Sequence, residues 1–425
     1  MKKKLLILVL LTSFNLWGTL GFVVNSGSGT LSKIDFETGE VNNAFCSLGF
    51  SANRVALTDD FAYVVNSGDN NLQKIDIETG ATVSYIFIET SSNPYDITIE
   101  GNYAYVSGGL SNKVYKVNLG TEVVENTVTV GGNPAGIVVF NNKLYVGNTD
   151  YASGYANCSV SVIDLISFDV EVTVPVEVNP QFLAVINENI HVSCGGNWST
   201  VFGKICILDP ATNMVTNTLD IGGVTSNLAM TPNNVVYVAD GYSTALYAYN
   251  GVSLDIIYDN TNPFTPGGTM VAANDEFFSV LGGEWGQNFT VRTYNFNEVF
   301  MDEYVVGLYA TDIKLYNEET LSGNEELSIR KYELFNFPNP FNPLTTITFS
   351  VTQTSSFVTL EIYNLKGQKV KQLLSNSASQ LSAGQHSVTW NGTDDNSRPV
   401  GSGIYFYSLK LDGKTVDIKK MILMK

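Results

Sequence analysis

The chain of 425 residues has only 15% charged and 12% aromatic residues with 37 glycines, a mix that fits a large turn-rich fold and excludes a disordered polymer. Its formal net charge of −18 is uneven: residues 1–329 hold 12 Lys+Arg against 35 Asp+Glu, a net of −23, and residues 330–425 hold 11 against 6, a net of +5. An acidic body repels a phosphate backbone, which speaks against nucleic acid and leaves solubility or affinity for cations.

The N-terminus has the layout of an export signal. Lys2, Lys3 and Lys4 form a basic start, and Leu5–Leu11 form an apolar stretch too short to span a bilayer. We expect residues 1–20 to be a secretory signal peptide, although Trp17–Gly21 lacks the Ala-x-Ala cleavage pattern. No cysteine follows to carry a lipid, and no later segment reaches transmembrane length. Export permits disulfides. Cys46, Cys158, Cys194 and Cys206 allow three full pairings. Cys194 and Cys206 flank one predicted hairpin loop and could face each other; buried free thiols are the equal alternative. No CxxC or Cys–His spacing points to zinc, and no cofactor is expected.

From Phe22 onward one pattern recurs seven times, at Phe22–Gly27, Tyr63–Gly68, Tyr105–Gly109, Tyr145–Thr149, His191–Gly196, Tyr237–Gly241 and Phe278–Gly283. These anchors start 41, 42, 40, 46, 46 and 41 residues apart. A period of about 40–45 residues in a strand-rich chain is that of a four-stranded propeller blade. In the second unit the spacing predicts strands a to d, inner to outer, at Asn53–Leu57, Phe61–Val65, Leu72–Ile77 and Ala81–Ile88. Apolar and polar residues alternate along them, and Asn-Ser-Gly and Glu-Thr-Gly clusters mark the turns. The chain enters on a b strand, Gly21–Asn25, and a surplus a strand follows the last unit at Ala310–Tyr316. The surplus strand completes the first blade and hides the sheet edges of the ring. The expected fold is all-β: a seven-bladed β-propeller of four-stranded antiparallel blades over residues 21–319.

Residues 320–331 read as a polar linker. Beyond them, strands are predicted at Thr345–Val351, Val358–Tyr363, Lys369–Leu374, His386–Trp390, Gly403–Lys410 and Thr415–Leu423. This spacing suggests an Ig-like β-sandwich over residues 332–425.

Two resemblances follow. Tyr63-Val-Val-Asn66 and Tyr105-Val-Ser107, with Lys33–Gly39 and Lys74–Gly80, resemble the YVTN family of seven-bladed propellers; the fifth to seventh repeats depart from its pattern. The C-terminal part is similar to the type A sorting domain of type IX secretion. The matching residues are Asn336–Pro343, Ile362–Gln368, Trp390–Gly392, Arg398–Tyr405 and Lys419–Lys425. That resemblance implies passage by Sec and then by the type IX machinery through residues 332–425, with a secreted or outer-membrane-surface destination. The Ig-like module of flagellar-hook capping proteins shares parts of the same pattern. Lys414, Lys419, Lys420 and Lys425 could meet an acidic receptor surface or serve as ordinary edge-strand charges.

Candidate sites concentrate in the b–c loops. Gly147–Ser159, Ser193–Gly203 and Gly282–Asn288 bring Tyr151, Tyr155, Trp198, Phe202 and Trp285 toward one face, with Tyr242 nearby. Aromatic loop residues stack on sugars or peptide side chains, and they also pack beneath their own loops. Glu284 beside Trp285 is the single candidate for a general acid, with no second carboxylate fixed by sequence. Asp59-Asp60 and Asp69-Asn70-Asn71 lack cation-loop spacing and read as turns, as do the recurring Asp35, Asp76, Asp164 and Asp209. Nucleophile, phosphate-loop and dinucleotide motifs are absent, and His191 and His386 stand too far apart to support a triad. The expectation is a secreted or surface binding protein for a glycan, a peptide or another surface protein. A lactonase- or lyase-like enzyme working at the central channel and a structural cell-envelope component are the alternatives.

Overall fold

The computed structural model describes residues 18–317 and, with short gaps, residues 334–424. Residues 1–17 of the segment read as a signal peptide and the polar linker, residues 320–331, lie outside the described residues, whereas Thr19 and Leu20, placed in that segment by the sequence, belong to the first strand. The chain divides between Asn324 and Glu325 into two compact units.

The first unit consists of seven four-stranded antiparallel sheets, or blades. Blade 1 runs Ala310–Asn317, Thr19–Asn25, Thr30–Asp35, Val41–Ser47 from inside to outside. Phe22 pairs with Lys314 and Val23 with Ile313, so the late strand completes the first blade, as the strand count requires. Blade 2 runs Ala52–Leu57, Phe61–Asn66, Asn71–Asp76, Thr82–Phe87, within a residue or two of expectation. The inner strands of blades 3 to 7 are Pro94–Glu100, Pro134–Phe140, Pro180–Ile186, Thr225–Met230 and Met270–Ala273. Each inner strand packs on the next, and Met270–Ala273 packs on Ala310–Asn317, which packs on Ala52–Leu57. The contacts form a closed cycle.

Burial follows position within a blade. The b strands lie between neighbouring sheets and are apolar on both faces: Ala62, Val64 and Val65 are fully buried, as are Leu144, Tyr145 and Val146. The d strands at the rim alternate, and Val83, Tyr85 and Phe87 are exposed. Each c strand ends in an Asx turn. Asp35 Oδ1 accepts the N–H groups of Glu37 and Thr38, both at 2.9 Å, and Asp76 and Asp164 repeat the bond pair. Asp209 takes the N–H of Ala211 and the hydroxyl of Thr212. Asn118, Asn250 and Asn295 do the same work in the other blades. The strand-c aspartates are therefore turn formers.

The second unit holds two antiparallel sheets, Leu334–Phe337, Thr345–Val351, Gly384–Trp390 and Lys369–Ser375, Val358–Asn364, Gly403–Leu411, Lys414–Leu423. Ile347, Phe349, Leu360, Ile362, Trp390, Leu409 and Met421 form their common core. The Leu334–Phe337 strand was not predicted, because the proline-rich run just after it masks the alternation. That run continues alongside the last strand: Phe341 N–H donates to Ile422 O, and Met424 N–H to Phe341 O.

Candidate functional site

The b–c loops and the turns leading into the a strands meet on one face. In five blades the first residue of the b–c loop donates its N–H to the turn ahead of strand a: Ser67 to Ser51, Gly109 to Asn93, Thr149 to Asn133, Gly195 to Asn179 and Gly241 to Val224. Asn93, Asn133 and Asn179 each precede a proline with φ between 47 and 67°, a left-handed geometry that asparagine tolerates.

On this face the aromatic loop residues point outward. Tyr151, Trp198, Phe202, Tyr242 and Trp285 are 54–81% exposed. Tyr155 is half-buried and meets Tyr151 edge-on at 5.7 Å. Tyr155 packs within its own loop; the five exposed side chains do not. They stand on four consecutive blades, 4 to 7. Trp285 extends the arc toward blade 1 through Tyr309, whose ring lies 4.9 Å away. Phe50 and Leu110, 73% and 67% exposed, continue the arc in blades 2 and 3. The sequence reading missed both, because their loops are short; Phe50 just ahead of a small-residue turn was the available signal. The loop bases are firm: Asp240 Oδ1 accepts the N–H groups of Tyr242 and Ser243, and Asn197 Oδ1 accepts those of Ser199, Thr200 and Val201.

The inner strands line a partly open cavity of about 360 Å³. Asp312, Arg54, Asp96, Gly136, Phe182, Asn227 and Met270 occupy one matching position around it. Side chains at this position stitch blade to blade. Asp312 Oδ2 accepts Val55 N–H at 3.0 Å, Asp96 Oδ2 accepts Ile137 N–H at 3.2 Å, and Asn227 Oδ1 accepts Val271 N–H at 2.8 Å. Arg54 donates to Thr311 O at 2.6 Å and rests 4.8 Å from the Phe182 ring, with Tyr95 at 5.5 Å. A Cβ on Gly136 would lie 2.5 Å from Gln181 O, so the next backbone occupies the space a side chain would need. Burial pushes the Asp96 carboxyl up and Asp312 adds to this, against Arg54 and Lys314. Sequence reasoning did not single out this ring, which seven distant segments assemble.

The remaining candidates separate cleanly. Glu284 is exposed, and the indole beside it packs at a tilt on Tyr309. Asp69 Oδ2 accepts Phe50 N–H, and Asn70 Oδ1 accepts Asn93 N–H, so that segment shapes turns. No group of His, Cys, Asp and Glu among the described residues could hold a metal ion. His191 is buried against the Tyr249 hydroxyl at 2.5 Å. The four cysteines are free thiols; Cys194 and Cys206 do face each other, with Sγ atoms 4.0 Å apart.

Residues 342–415 match the FlgD Ig-like domain family. Among proteins of curated function, none matches the sequence. The chain is similar in structure to a functionally unknown protein from Desulfotomaculum acetoxidans, with a TM-score of 0.55 and 15% identity over 70% of this chain and 99% of that one. It is also similar to a chain of hydrazine synthase from Kuenenia stuttgartiensis, with a TM-score of 0.50 and 13% identity over 62% of this chain and 94% of that one. Both are of the propeller type, and at these identities the likeness is one of fold. The class defined is thus a propeller-like repeat unit followed by an Ig-like domain. No helix among the described residues is long and apolar enough to cross a membrane.

Proposed function

We propose that the protein is a closed seven-bladed propeller of the YVTN type that binds a glycan or polypeptide through its aromatic loop face. In this reading it reaches the cell surface or medium by Sec and then type IX export, with residues 332–425 as the sorting domain. The carrying observation is the outward stance of Tyr151, Trp198, Phe202, Tyr242 and Trp285 on consecutive blades. Rigid aromatic rings held in water on firm loops are poor for solubility and good for stacking, and such residues dominate binding hot spots. The strongly acidic repeat unit disfavours polyanions as partners.

The full-length protein on glycan and peptide arrays tests the proposal. Trp198→Ala and Trp285→Ala should each weaken a captured ligand by about tenfold or more while leaving the thermal midpoint in place. Absence of any ligand, or binding indifferent to both changes, would sink it. Turnover of a lactone or glycan by the same preparation would replace it with the enzymatic reading. Deleting residues 332–425 should strand the protein in the periplasm, and unchanged surface delivery would remove the sorting role.

A further inference from the structure

The channel cavity carries features that the loop-face reading leaves unused. Its volume of about 360 Å³ suits a small occupant, near the lower end of the roughly 300–1,000 Å³ typical of ligand sites. Arg54, Lys314, Asp96 and Asp312 line it together with Phe182 and Met270. Two cationic and two acidic side chains face one space, so neither a lone cation nor a lone anion meets net opposite charge. Two polar atoms are left without partners. Asp312 Oδ1 and Arg54 Nε are buried and make no hydrogen bond, on residues only 1% and 6% exposed. Lys314 Nζ stops 3.9 Å from Asp312 Oδ1, beyond hydrogen-bonding distance, on a side chain that is 48% exposed and can swing. Arg54 is fixed by Thr311 O and the Phe182 ring, and Asp96 by two backbone N–H groups.

We propose that the channel binds a small zwitterion of amino-acid or dipeptide size. Its carboxylate meets Arg54 and Lys314, and its ammonium meets Asp312 and Asp96. An apolar occupant would leave the unpaired donor and acceptor as they are, and a simple ion would satisfy one and repel the other. A zwitterion supplies both complements at once. Asp312 belongs to the closing strand, while Arg54 and Asp96 belong to blades 2 and 3, so an occupant also ties the closure to its neighbours. Binding to the folded state alone then raises the unfolding midpoint. This inference stands independently of the loop face.

The full-length protein is titrated calorimetrically and melted in the presence of each common L-amino acid and a set of dipeptides. N-acetylated and C-amidated forms of any ligand found are then compared. At least one zwitterion should raise the unfolding midpoint, and each capped form should bind about tenfold more weakly, as loss of one charged hydrogen-bonding group requires. Asp312→Asn and Lys314→Met should weaken binding to a similar degree, and Trp285→Ala should leave it unchanged. The asparagine keeps an oxygen for Val55 N–H; should that variant still fail to fold, Lys314→Met decides the matter from the half-exposed side of the cavity. Failure of every zwitterion to bind overturns the proposal. So does equal binding of the capped forms, or binding lost in Trp285→Ala and kept in Lys314→Met.

Discussion

At the outer turns the blades repeat one solution, and around the channel they do not. Asp35, Asp76, Asn118, Asp164, Asp209, Asn250 and Asn295 each cap the end of a c strand by accepting hydrogen bonds from the residues that follow. The channel position holds Asp312, Arg54, Asp96, Gly136, Phe182, Asn227 and Met270, which stitch, stack or make room. An Asx turn is closed by a side chain on its own backbone, so it needs nothing from a neighbour and repeats freely. The channel position is shared by seven strands at once. Charge and volume there have to balance over the whole ring, so one blade's choice limits the others.

Substitutions on the ring should therefore reach across blades. Phe182→Ala removes a nearly buried ring and the face on which Arg54 rests. The expected cost is about 3–5 kcal/mol, read from urea unfolding of the full chain. A loss below about 1 kcal/mol would show that Arg54 finds another seat and that the ring is less coupled than argued.

His191 is a second departure, a histidine where the other anchors have Phe or Tyr. Burial pushes its imidazole down to about 4 from 6.5. Between those values the unfolded chain takes up a proton that the folded protein refuses, so stability falls as pH falls from 6.5 to about 4. The loss should total about 3 kcal/mol. His191→Phe leaves the Tyr249 hydroxyl unpaired and lowers the whole curve, yet it should flatten that slope; a slope that persists would assign it to other groups.

Much of this architecture was legible because its signals are local. The Tyr-Val anchors, the Asn-Pro turns and the surplus Ala310–Tyr316 pattern gave the blade count and the partner of the closing strand. The aromatic loop residues were also legible by type and place. Their outward stance was not, since it depends on loop-base bonds such as those of Asp240 and Asn197. Asn118, Asn250 and Asn295 offer the same oxygen as the strand-c aspartates, but their residue type hides the equivalence in the sequence. The channel ring was the least legible part. Its members lie at least 40 residues apart in sequence, and nothing in any one repeat shows what stands across the channel.

Gly136 sharpens the comparison at a smaller scale. A Cβ there meets Gln181 O at 2.5 Å and Phe182 Cα at 2.8 Å, both main-chain atoms that move only if the strand moves. Gly136→Ala should cost about 1–3 kcal/mol in the same urea measurement. A neutral result would mean that blades 4 and 5 part without penalty, and that close approach is not what keeps the position small.

The smallest effect separates the two regions by sign. Asp76 is held below its ordinary value of 3.8, chiefly by the N–H of Thr79 and then by its hydroxyl. Its contribution is present above pH 3.8 and is lost as pH falls below it. Asp96 is raised above the same value by burial, so the folded protein holds its proton when the unfolded chain has released it. Its contribution is complete below pH 3.8 and fades as pH rises through the folded value. Asp76→Asn, which copies blades 3, 6 and 7, should leave neutral stability nearly unchanged and soften the acid loss. Asp96→Asn keeps an oxygen for Ile137 N–H but gives up the Ile97 N–H bond, a loss constant with pH, so its stability relative to the parent should still rise as pH rises above 3.8. Urea midpoints between about pH 3 and 7 report both, across the range where carboxylates titrate. Curves that bend the same way for the two variants would mean that turn and channel place their acids in equivalent surroundings, and the contrast between the regions would fail at its most direct point.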